Sequence, residues 1–115
     1  MDKLDKMFAL RESFMVKLRE TNPQGASPEW PIDLLDKSSQ QHVRDMALRG
    51  VEEMFEALQH LKNWKSHRIT DMGHTFDRDA FLEEMVDAFN YFFALMIHLD
   101  VDADEFFEAF LEKDR

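Results

Sequence analysis

The chain has 115 residues, 44% of them apolar and 33% charged, with a formal net charge of −10 and no cysteine. That length and composition describe one folded domain, residues 1–115, and not a disordered tail. The acidity argues against a nucleic-acid partner, because phosphate backbones repel such a surface. The missing cysteines exclude disulfides, thiol chemistry and Cys-ligated zinc.

Only three glycines and three prolines interrupt the chain, while Leu, Met, Ala, Glu and Lys are plentiful. This favours long helices over turn-rich sheet. A first helix is predicted from about Asp2 to Glu20, with Leu4, Met7, Phe8, Leu10, Phe14, Met15 and Leu18 at helical spacing. Residues 21–31, TNPQGASPEWP, hold all three prolines and read as a loop whose Trp30 packs back on the helices. Ser38 or Ser39 is the expected cap of a second helix ending near Asn63 to Lys65, with Gly50 inside it as a point of close packing. Residues 66–76 read as a polar connection. Asp77 or Asp79 would cap a third helix that runs to about Leu99. That helix is apolar over most of its circumference from Ala88 to Ile97, as a central or interface-buried helix would be. DVDAD then punctuates, and a last helix carries Phe106, Phe107, Phe110 and Leu111. The expectation is an all-α bundle of four to five helices.

No stretch approaches the apolar length needed to span a bilayer, and the start, MDKLDKMFAL, is unlike a signal peptide. A cytoplasmic protein with no membrane partner is expected. The phenylalanines of the last two helices suit either an oligomer interface, in a homodimer or tetramer, or a dense monomer core.

Two stretches echo each other: VEEMFEALQHL from Val51 and LEEMVDAFNYF from Leu82. Glu53 and Glu56 share one face of the second helix, one turn apart, and Glu84 and Asp87 do the same on the third. On antiparallel helices the four could converge in one groove. Like charges there repel unless hard divalent cations with a preference for oxygen ligands sit among them. The alternative is a pair of solvated acidic faces, which a chain this charged produces by chance. No Glu-x-x-His occurs, which argues against a di-iron bundle.

The strings EEMFEALQHLKNWK and LEEMVDAFNYFFALMIHLDVDADEFFEAFLEK resemble the dimeric dUTPases. These belong to the all-alpha NTP pyrophosphohydrolase superfamily, with the MazG-type enzymes and phage dCTPase–dUTPases. The resemblance covers about residues 38–115. It matches the family's Glu-x-x-Glu and Glu-x-x-Asp to Glu53, Glu56, Glu84 and Asp87, and a Lys-x-Trp-Lys-like segment to Lys62, Trp64 and Lys65. Asn90 falls one turn past the aspartate, where that branch has His or Asn. Arg11 stands about where many members carry a glutamine.

The resemblance implies a deoxynucleoside triphosphate substrate, most simply dUTP cut to dUMP and pyrophosphate. The four acids would hold Mg²⁺, or Mn²⁺, and Glu53 or Glu56 would also orient or deprotonate the attacking water. Lys62 and Lys65 could contact phosphates or be ordinary cations near a helix end. Asn90 could bond the base or sugar, or a neighbouring helix. Trp64 could stack on a base or anchor packing. The alternatives are a house-cleaning enzyme for dCTP or modified nucleotides, and a non-catalytic helical interaction module.

Overall fold

A computed structural model describes residues 2–24, 29–68 and 75–114. It contains four helices: α1 (Lys3–Thr21), α2 (Lys37–Leu58), α3 (Arg78–His98) and α4 (Ala103–Lys113). No strand occurs among the described residues. The predicted connection 66–76 lies largely outside them.

Each helix starts on an aspartate whose carboxylate accepts from a backbone N–H that would otherwise lack a partner. Asp2 accepts from Asp5, Asp77 from Ala80 at 3.0 Å, and Asp102 from Glu105 at 2.8 Å. For α2 the cap is Asp36, and not Ser38 or Ser39. Its carboxylate takes the Ser38 hydroxyl and the Ser39 N–H, and these bonds hold it below the usual carboxylate pKa. An ionised carboxylate is the stronger acceptor, which is why it displaces the serines. α2 also stops earlier than expected. His60 and Leu61 bond back three residues, to Ala57 and Leu58, so the helix tightens into single turns after Leu58.

α2 and α3 run antiparallel. His42 lies beside His98, Gly50 beside Phe92, and His60 beside Glu84. Gly50 permits the closest approach, since a Cβ there would come within 2.9 Å of the Phe92 ring. Ala57 and Ala88 are both completely buried. Because α2 packs on no helix but α3, Ala57 must face that seam. Small residues there let the two acid-bearing turns approach.

α3 is the central helix, as its sequence predicts. It carries α2 on one side and α1 on another, and buries Ala94, Leu95, Ile97 and His98. Phe8 and Met15 of α1 complete the core with Met46 and Ala103. Trp30 returns to this core as expected, 5.7 Å from His98 and with the Arg19 guanidinium 3.9 Å above its ring. Ile32 N–H donates to His98 O at 2.9 Å and ties the same segment to the end of α3. α4 packs only on α1, and its Phe107 and Phe110 are at least half exposed. The radius of gyration is 17.4 Å, against about 13 Å for a compact chain of this length. The accessible surface is 9266 Å², against about 6,600 Å² for a folded monomer of this mass. No helix among the described residues is long and apolar enough to cross a membrane.

Candidate functional site

Glu53 and Glu56 stand on the last turns of α2, and Glu84 and Asp87 on the first turns of α3. The antiparallel seam therefore brings the two pairs to the same end of the molecule. Their mutual influence is visible at Glu53, whose carboxyl holds its proton more tightly than usual. Burial is the largest cause, followed by the charge of Glu56 and a hydrogen bond with it, then Asp87 and Glu84. All three other acids thus act on one carboxyl. Glu84 is turned toward His60, whose Nε2 lies 3.2 Å from its Oε2, and both side chains are about one-third exposed. Among the described residues, no three acidic or imidazole side chains stand close enough together to hold a metal ion as they are oriented. The acids are neighbours across the seam, but they are not drawn onto one point.

Beside them opens a cleft of about 510 Å³ lined by α1, α2 and α3. It exists because α1 and α2 both rest on α3 and do not pack on each other. Phe14, Met15, Leu18, Met46 and Ala94 give it apolar walls. Glu53 and Asp87 reach it from the acidic end, and Asn90 and Tyr91, one turn past Asp87, line it on α3. The volume lies within the usual range for small-molecule sites, roughly 300–1,000 Å³.

The structure divides the residues singled out in the sequence. Glu53, Asp87 and Asn90 line the cleft, while Glu56 and Glu84 act on Glu53 from beside it. Lys62, Trp64 and Lys65 do not line it. They follow the end of α2 and are exposed, Trp64 by 71%, with the Lys65 ammonium 5.6 Å from the Trp64 ring. The early end of α2 is the reason, because it moves this segment off the helix face that carries Glu53.

Two further lining residues, Arg49 and His42, have no part in the sequence reading, and a third, Arg11, enters it only at the position of the family's glutamine. Arg49 sits four residues before Glu53, hence on its face, and its Nη2 is 3.5 Å from Asp45. Its helical spacing from Glu53 was a usable signal. Arg11 enters from α1, its guanidinium 4.7 Å from the Phe14 ring centre. His42 lines the far end, with its Nε2 buried and without a hydrogen-bond partner. Behind it, His98 is completely buried with both ring nitrogens unpartnered. Burial, then the neighbouring His42 and Arg19, lower its pKa to about 4.

No protein-family model matches the chain, and no curated protein or solved structure matches it significantly.

Proposed function

We propose that this chain is a Mg²⁺-dependent nucleoside triphosphate pyrophosphohydrolase of the dUTPase-like kind, converting dUTP to dUMP and pyrophosphate. The observation that carries the reading is the raised proton affinity of Glu53 under the joint influence of Glu56, Asp87 and Glu84, at the mouth of a nucleotide-sized cleft. The resemblance to the all-alpha NTP pyrophosphohydrolases supplies the reaction.

The donor set suits a hard divalent cation. It consists of carboxylate oxygens alone, and their mutual repulsion is what a cation would relieve. Glu53, Glu56, Glu84 and Asp87 would be its holders, and Mn²⁺ would serve in place of Mg²⁺. When bound, such an ion supplies charge neutralisation at phosphate oxygens and a more acidic water. The protein supplies the rest. Glu53, whose carboxyl is already shifted toward holding a proton, suits the task of accepting one from the attacking water. The apolar walls take the base and exclude water from it. The Asn90 amide offers a donor and an acceptor to a base or sugar edge.

A second copy of the chain is the partner this reading includes. The surface exceeds that of a folded monomer of this mass by about 2,700 Å², an area of the order that obligate dimers bury. The exposed Phe106, Phe107, Phe110 and Leu111 stripe on α4 is one apolar part of that surface. A cytoplasmic nucleotide pool is the setting the reading fits.

Pyrophosphate release with Mg²⁺, measured across the deoxynucleoside triphosphates, tests the function. Preference for dUTP is expected, and Glu56→Ala should abolish turnover while the helical circular-dichroism signal is unchanged. A broad profile including dCTP would favour a house-cleaning enzyme. Silence across the panel would leave a helical interaction module, which the exposed α4 stripe would then serve.

A further inference from the structure

We propose that Arg11 is an anion receptor within the cleft and binds the phosphate chain of the incoming ligand. The proposal rests on the nucleotide reading for the identity of that ligand, but its geometry stands on its own.

Arg11 is one of two arginines lining the cleft, and the two differ in their surroundings. Arg49 is exposed and already pairs with Asp45 at 3.5 Å. Arg11 is partly buried, with its guanidinium against Phe14, and its Nε lies out of reach of solvent with no hydrogen-bond acceptor. Burial lowers its pKa, an effect that Tyr91 and Asp87 oppose. An arginine keeps its charge under such a shift. The cleft therefore holds a partly desolvated cation, one of whose donors has no acceptor, an arrangement that is costly unless something completes it.

A neutral acceptor, such as a base carbonyl, would fill the donor and leave the charge uncompensated. A phosphate does both, because its oxygens match the planar guanidinium fork two at a time. Position agrees with chemistry. Arg11 acts electrostatically with Asp87, one of the four acids, and so lies toward the acidic end. Its contribution would also be coupled to theirs: a cation held by Asp87 removes the negative charge that Arg11 feels and leaves it freer to bind an anion. Arg11 would thus make the phosphate contact that one of the two readings of Lys62 and Lys65 gives to them.

Titration calorimetry of the full chain, with inorganic pyrophosphate and separately with deoxyuridine, both in Mg²⁺, tests this. Arg11→Gln should weaken pyrophosphate binding roughly ten- to hundredfold, the scale of a lost charged hydrogen bond. Deoxyuridine affinity should be unchanged, and Arg11→Lys should recover part of the loss. On the unaltered protein, pyrophosphate but not deoxyuridine should protect Arg11 from phenylglyoxal, a measurement that stands even where Arg11→Gln does not fold. Pyrophosphate affinity within about twofold of the parent, equal weakening of deoxyuridine, or no protection overturns the proposal. So does a parent chain that binds no pyrophosphate. A chain that binds pyrophosphate through Arg11 yet turns over no triphosphate would sink the enzymatic reading and leave this one standing. Turnover that is indifferent to Arg11→Gln would do the reverse.

Discussion

The Phe92 ring fills the space in front of Gly50, so that an added Cβ would meet three of its carbons at 2.9 to 3.2 Å. Gly50→Ala gains helix propensity of up to about 1 kcal/mol. It also forces the ring aside in a packed seam, which typically costs about 1–3 kcal/mol. The net expectation is a loss of about 1 kcal/mol and a melting temperature lower by about 4–8 °C. Calorimetry on the purified variant checks it, and a raised melting temperature would show that the seam has room to spare.

Glu53 holds its proton more tightly folded than unfolded. In the window between its ordinary and raised pKa, the folded state binds more protons than the unfolded one. Its contribution to stability is therefore present below that window and lost as the pH rises through it. Glu53→Gln removes the repulsion and should raise the melting temperature at neutral pH. The gain should vanish in acid, where the parent side chain is already neutral. Thermal melts of both proteins across the carboxylate range decide the matter.

His98 behaves in the opposite sense. Its pKa is about 4 in the folded chain, against about 6.5 unfolded. Between those values the unfolded state binds more protons, so stability is full above pH 6.5 and drains away as pH falls toward 4. The loss attributable to this group is at most about 3 kcal/mol. Urea melts from neutral pH downward should show the decline, and His98→Phe, if folded, should flatten it. A parent chain with no acid sensitivity in that window would contradict the burial of an unpartnered imidazole.

His60 and Glu84 touch at 3.2 Å while both remain about one-third exposed. Such a pair contributes less than about 1 kcal/mol to stability, so His60→Ala should barely change the melting temperature. On the proposed pyrophosphohydrolase reading it also frees Glu84 to hold a cation. Half-maximal turnover should then need less Mg²⁺ than in the parent, which titration of activity against the ion measures. An unchanged requirement would mean that Glu84 takes no part.

The exposed rings of α4 lead to an expectation about assembly. Replacing Phe107 and Phe110 by serine should leave the helical signal intact and move the chain to a smaller species in sedimentation velocity. A parent chain that is monomeric at all concentrations would refute it.

The helices were legible because their apolar spacing and aspartate punctuation agree. Asp77 caps α3 as its position before an apolar run suggests, and α3 is central because it is apolar nearly all round. The cap of α2 was misassigned by two or three residues because Asp36, Ser38 and Ser39 are all competent, and only the geometry shows which oxygen faces the free N–H groups. The closeness of the four acids was legible from three-residue spacing on two helices expected to pair. Arg11 is legible only through the resemblance, at the family's glutamine position; that it lines this cleft depends on where α1 lies on α3, which packing between distant segments decides. Lys62 and Lys65 stand outside the cleft because α2 ends at Leu58, before it could carry them on the face of Glu53.

α3 is, in effect, the spine of a book whose two covers are α1 and α2, since each leans on it and their backbones stay apart. Whatever slips between the covers is gripped from both sides at once, and so stiffens the half of the binding that is less well sewn. Slower amide exchange along α1, read without any turnover assay, would be the mark of an occupied page.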